Sequence, residues 1–150
     1  MKKITKMLFV VSSLFAVTSW FMPMSAYAFV PSNLEGRYNG DWELLDGGLC
    51  YTAGATGNIV IRIVDMDANG TINDARVKFS DEAQTPAELG TGRIFMRNGV
   101  RRIRLNYDIA GYDRYIKGRL TRTRKIKGNY YHAASDDSCI WSGSVSASHI

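Results

Sequence analysis

Twelve arginines and lysines fall between Arg93 and Lys127, against two acids, Asp108 and Asp113. Seven of these cations have types and spacing suited to one kind of chemistry: Arg102, Arg104, Lys117, Arg119, Arg122, Lys125 and Lys127. Arg102 and Arg104 flank Ile103, Lys117 and Arg119 flank Gly118, and Lys125 and Lys127 flank Ile126. In an extended chain successive side chains point to opposite faces, so cations at alternate positions share one face. Consecutive strands of this kind make a contiguous basic surface, which attracts a polyanion: envelope polysaccharide, anionic lipid headgroups, an acidic protein partner or nucleic acid. Tyr112, Tyr115, Tyr130 and Tyr131 lie near enough to stack on a ligand, but no nucleic-acid motif accompanies them, and nucleic acid is the least expected of these partners. The bland reading is a solvated face whose charges pair with acids on neighbouring strands, and exposed pairs of that kind stabilise little.

Other chemistry is thinner. Asp65, Asp67 and Asn69, followed by Gly70, match the first half of a calcium loop, in which alternate oxygens converge where a glycine lets the backbone turn. The bidentate glutamate expected at the twelfth position is Arg76, and the flanks alternate like strands, so an acidic hairpin tip fits the same residues. No metal site and no cofactor is expected. Ser135, His132 and Asp136 are the types of a nucleophilic triad, yet nearness in sequence does not supply triad geometry. His149, next to the last residue, is expected to be mobile. No catalytic residue is assigned, and a binding protein is the expectation rather than an enzyme.

The first 28 residues set the compartment. Lys2, Lys3 and Lys6 precede an apolar run from Met7 to about Met22, and Ala26-Tyr27-Ala28 supplies the small residues read by a signal peptidase. The run is shorter than a spanning helix needs, and Pro23 interrupts its end. A cleaved signal peptide over 1–28 and a single exported domain over 29–150, periplasmic or secreted, are therefore expected. Of the net charge of +5, three units belong to the leader lysines, which leaves +2. That remainder is unevenly laid out: residues 29–92 hold four basic and ten acidic side chains, and residues 128–150 hold only Asp136 and Asp137 as charged groups. In an oxidising compartment the two cysteines, Cys50 and Cys139, are expected to form a disulfide.

The elements that must position these residues read as strands. Leu34, Gly36, Tyr38, Gly40, Trp42 and Leu44 alternate with Glu35, Arg37, Asn39, Asp41 and Glu43. The same period of two recurs around Ile59–Ile63, Ala75–Phe79, Ile103–Ile109, Ile116–Leu120, Ile126–Tyr130 and Cys139–Ala147, with a further strand at Arg93–Arg97. Asp46-Gly47-Gly48, Asn69-Gly70, Asn98-Gly99 and Gly111 mark turns. Ser80–Gly90 is the longest irregular stretch, with room for one helical turn. About eight strands joined mostly by short hairpins, with glycines at Gly36, Gly40, Gly118, Gly128 and Gly143 on the apolar faces, favour an all-β, antiparallel up-and-down barrel over a sandwich. Its first and last strands would meet, so a Cys50–Cys139 bridge would fasten the seam, with Trp42 and Trp141 inside.

Tyr38-Asn39-Gly40-Asp41-Trp42-Glu43-Leu44 resembles the first strand of the calycins, the lipocalins and fatty-acid-binding proteins, through its Gly-x-Trp. The resemblance covers one strand. It implies a barrel carrying a small apolar ligand inside, and it identifies no ligand-contacting residue here. Alternation also leaves open which face is inside: an outer-membrane barrel would turn the apolar faces to lipid. Five glycines on that face speak for the soluble arrangement.

Overall fold

The computed structural model describes residues 32–48, 50, 52–80, 87–109, 112–133 and 140–150. The leader at 1–28, Cys139, Ser135 and Asp136, and residues 81–86 of the irregular stretch lie outside the described residues. A short 3-10 turn, Ser32–Leu34, leads into eight strands: β1 (Gly36–Asp46), β2 (Thr56–Met66), β3 (Thr71–Phe79), β4 (Glu88–Arg97), β5 (Val100–Ile109), β6 (Tyr112–Leu120), β7 (Lys125–Ala133) and β8 (Ile140–His149). Each pairs antiparallel with the next in sequence, and β8 returns to β1, so the sheet is a closed up-and-down barrel. The seam runs from Tyr38 opposite His149 to Leu44 opposite Gly143.

Alternation has its expected consequence. Tyr38, Trp42, Ile59, Ile61, Ile63, Val77, Phe79, Ile94, Ile103, Leu105, Tyr107, Ile116, Ile126, Tyr130 and Val145 point inward and are buried. Three of those aromatic rings, Tyr38, Tyr107 and Tyr130, are no more than 1 % exposed. Several strands run past the stretches their alternation marks, β4 furthest. β4 begins at Glu88, five residues before Arg93, because its first turns invert the usual pattern. Glu88 points inward and is buried, while Leu89 points outward and is 59 % exposed. Leu89 and Glu88 pair with Arg76 and Val77 of β3.

Closure needs strands that approach closely and bend. Gly118 and Gly128 lie directly opposite each other on β6 and β7. A Cβ on Gly128 would collide with the Lys117 carbonyl oxygen and the Gly118 Cα. The tight hairpin between β4 and β5 turns on Asn98 and Gly99, both at positive φ (52° and 71°), as a two-residue turn with the right twist requires.

The end of the barrel that holds the β2–β3, β4–β5 and β6–β7 hairpins is sealed. Leu34 is fully buried, and the Tyr38 hydroxyl donates to its carbonyl at 2.7 Å. Burial pushes the Tyr38 phenol up to about 12, against the charges of Arg124 and Arg101. His149, expected to be mobile, is fixed instead. Its ring meets Tyr38 edge-on at 4.9 Å, its Nε2 lies 2.9 Å from the Glu35 carbonyl oxygen, and the Ile150 N–H donates to the Arg37 carbonyl.

The glycine pair gives a direct test of the closure. Gly128→Ala forces backbone apart in mid-strand and should lower the unfolding free energy by on the order of 3 kcal/mol. Urea denaturation followed by circular dichroism reads the loss, and an unchanged midpoint would show that close approach of β6 and β7 is not required.

Candidate functional site

The register places the cations more sharply than alternation alone could. On the outer surface Arg93 of β4 lies opposite Arg104 of β5, and Arg104 lies opposite Lys117 of β6. One step along, Phe95 lies opposite Arg102, Arg102 opposite Arg119, and Arg119 opposite Lys127 of β7. These are two parallel ranks in which like charges face each other across neighbouring strands, an arrangement that destabilises a sheet. Lys125 stands at the start of β7 opposite Ser148, and Arg122 is exposed in the β6–β7 turn, beyond the ends of the ranks.

Little relieves the charge. Among the described residues the ion pairs are Arg76–Asp74 and Arg114–Glu88, and neither involves a rank. Arg104 donates to Asn106 at 3.2 Å, and the Lys117 ammonium sits 4.0 Å over the Tyr115 ring. Tyr115 stacks on Tyr131, centroids 4.9 Å apart and nearly parallel. Arg102 Nε is shielded from solvent and has no hydrogen-bond partner among the described residues. Two hollows open on this surface and meet at Phe95 and Arg104. One, of about 890 Å³, is bordered by Thr91, Arg93, Phe95, Arg104 and Asn106 together with Thr71 and Asn73. The other, of about 400 Å³, is bordered by Phe95, Arg97, Arg102, Arg104 and Lys117.

Some of the twelve cations and four tyrosines are not on this face. Arg114 and Tyr130 point inward and are buried. Both obey parity: Arg114 lies two residues before the inward Ile116, and Tyr130 lies two before the inward His132. Inside, Arg114 forms an ion pair with Glu88, their side chains only 8 % and 2 % exposed, and its guanidinium lies 5.9 Å from the Trp141 ring centre. Next to it the Tyr107 hydroxyl and His132 Nε2 share a hydrogen bond of 2.7 Å. Phe79, Tyr130 and Trp141 pack around the imidazole with centroids 5.0–5.3 Å away. Burial first, and the Arg114 charge second, push His132 down to about 3. These neighbours suit a neutral ring wedged in a core; Ser135 and Asp136 lie outside the described residues. Sequence reasoning placed Tyr107 on an apolar face without its partner and missed Glu88, which lies three inward positions before Ile94.

The calcium motif is used by its own hairpin. Asp67 Oδ1 accepts from the Asn69 and Thr71 N–H groups at 3.2 and 2.9 Å. Asn69 Oδ1 accepts from the Thr71 hydroxyl at 2.7 Å, and Asp65 Oδ2 from Asn73 Nδ2 at 3.1 Å. Among the described residues no group of three or more His, Cys, Asp or Glu side chains converges as metal ligands would. No family model, no curated protein and no solved structure matches this chain.

The depressed His132 fixes the sign of an acid effect. Between its unfolded value of 6.5 and its folded value of about 3, the unfolded chain binds a proton that the fold excludes. This contribution to stability is therefore complete above pH 6.5 and lost as pH falls toward 3, a swing on the order of 4 kcal/mol. His132→Gln should flatten that limb of the stability–pH curve, measured by urea unfolding at each pH. A variant as acid-sensitive as the parent would place the titration elsewhere.

Proposed function

We propose that this chain is an exported binding protein whose cationic outer face holds a polyanion. The observation that carries the reading is the pair of ranks, Arg93–Arg104–Lys117 and Arg102–Arg119–Lys127. Like charges placed opposite one another oppose folding, and no acid among the described residues forms an ion pair with them. A bound anion would supply the missing partners for the ranked cations. A guanidinium recognises carboxylate, sulfate or phosphate through two parallel hydrogen bonds. The bland expectation, a face neutralised by acids on adjacent strands, finds no such acids at the paired positions.

The same structure weighs against the other readings. Inward positions are taken up by Tyr38, Trp42, Phe79, Tyr107 and Tyr130, which supports recognition on the outside rather than a calycin-like carrier. The exterior bears Arg62, Arg93, Arg104, Lys117, Arg119 and Lys127 at exposed mid-strand positions, which supports a barrel that faces water rather than lipid.

Export and the disulfide belong to one proposal. No described cysteine is a free thiol. The connection that carries Cys50 runs against the start of β8, where a Cβ on Gly48 would collide with the Ile140 carbonyl oxygen. A Cys50–Cys139 bridge would close a loop of about ninety residues and stabilise the barrel by about 4–5 kcal/mol in the chain-entropy account. Dithiothreitol should lower the melting temperature of the oxidised protein and leave Cys50→Ser unaffected. Equal sensitivity of the two proteins would exclude the bridge.

The binding face is tested by Arg119→Glu, a charge reversal between Arg102 and Lys127. Titration against polyphosphate, polygalacturonate and phosphatidylglycerol vesicles should show binding by the parent that weakens steeply with salt. The variant should lose affinity by about tenfold or more, while its unfolding free energy rises by roughly 1 kcal/mol as two repulsive contacts become attractive. A parent that binds none of the three, or a variant that binds as tightly, would sink the reading.

A further inference from the structure

We propose that the polyanion is a linear acidic polysaccharide lying across the strands, from β4 to β8. This rests on the cationic-face reading above and adds the chemical class and path of the ligand.

The ranks do not stop where the cations stop. Lys117 lies opposite Asn129, and Asn129 opposite Ser144; Lys127 lies opposite Ser146. Alongside runs a third, uncharged rank: Thr91, Asn106, Tyr115, Tyr131 and Ser142, each opposite the next. After Ile140, the outward positions of β8 are serines, Ser142, Ser144, Ser146 and Ser148, and none of these hydroxyls makes a hydrogen bond within the described structure. Beyond β8 the outer face turns acidic, with Glu43 opposite Ser144 and Asp41 opposite Ser146. An anionic chain is thus bounded on that side, with the serine strand as its neutral margin.

This composition suits a ligand that is both charged and rich in hydroxyls. Amides and hydroxyls donate and accept, so Asn73, Asn106, Thr71 and Thr91, which border the larger hollow beside Arg93 and Arg104, match sugar hydroxyls next to an acidic group. Polyphosphate and lipid phosphate offer acceptors alone, whereas a sugar hydroxyl both donates and accepts and so can meet either kind of group. Phe95 and the Tyr115–Tyr131 stack supply flat apolar surface against which a sugar ring can lie.

Shape separates the candidates further. The ranks follow five neighbouring strands of an eight-stranded closed barrel, so they wrap around a curved wall. A flat bilayer could touch only part of that arc, and duplex DNA is stiff over about 150 base pairs. A flexible single chain can follow the whole curve.

Galacturonate oligomers of increasing length, polygalacturonate, polyphosphate and phosphatidylglycerol–phosphatidylcholine vesicles test the assignment by calorimetry. Affinity for the oligomers should rise with length and level off once the oligomer spans the arc from β4 to β8. Thr91→Val with Ser144→Val, both compatible with a strand, should weaken polygalacturonate binding by about tenfold, roughly the loss of two hydrogen bonds. The same pair should leave polyphosphate binding unchanged, and unaltered unfolding would confirm an intact barrel. If polyphosphate or vesicles bind as tightly as polygalacturonate, or the valine pair weakens all ligands alike, the polysaccharide assignment is overturned while the polyanion reading stands. If none of the ligands binds, the failure lies with the cationic face itself.

Discussion

A sheet whose first and last strands do not meet leaves two rows of unpaired N–H and C=O groups. Here β1 and β8 meet over eight paired positions, from Tyr38–His149 to Asp46–Ser142. Everything else follows from that closure. It forces strands to bend, and the bend is met by glycine where backbones crowd, as at Gly118 against Gly128 and at Gly143 against the Glu43 carbonyl and the Tyr130 ring. It also divides every strand into an inward and an outward set with no intermediate option. A one-residue slip would exchange the two sets, turning Arg102 and Arg119 into the core and Ile103 into water.

The two sets handle charge in opposite ways. Inside, Arg114 and Glu88 are both removed from solvent and bonded to each other, because one without the other would be a buried, uncompensated charge. His132 meets the same demand by remaining neutral, its proton affinity depressed by burial and by the cation beside it. Outside, the low-dielectric penalty is absent, so Arg93, Arg104, Lys117, Arg102, Arg119 and Lys127 can stand unpaired in rows. Water and counterions screen their repulsion without abolishing it. The interior charges thus offset each other within the core. The exterior ones do not, and that asymmetry directs attention to the outside when asking what the molecule binds.

Much of the fold was legible because period-two alternation encodes parity directly: the eight strands, the inward Trp42 and Tyr38, and the hairpins at Asn69-Gly70 and Asn98-Gly99 all follow from it. Parity was under-used at strand ends. Arg114 and Tyr130 looked like members of the basic, aromatic surface because of their types, although their positions mark them as inward. The start of β4 was hidden for the reverse reason: a buried carboxylate, Glu88, and an exposed Leu89 mimic a loop in any pattern that equates apolar with inside. Only tertiary pairing with Arg114 makes Glu88 tolerable there. Register was not legible at all. The sequence shows that Arg102, Arg119 and Lys127 share a side of the sheet, but nothing in it says that they stand in line.

That alignment changes the physical meaning of the basic block. A block of cations scattered over a solvated surface interacts weakly and averages out over a Debye length of about 8 Å at physiological ionic strength. Cations opposite one another on adjacent strands are closer than that, at about 5 Å between backbones, so their fields add. The Arg102 guanidinium, with Arg119 across from it and a shielded Nε, stands where the local potential should be highest. A monovalent counterion there would lose entropy for a single contact, whereas a chain of linked anions loses that entropy once and meets several cations in sequence. The preference for a polymer over a free anion is thus a consequence of register, and register in turn is held by the closed seam between β1 and β8.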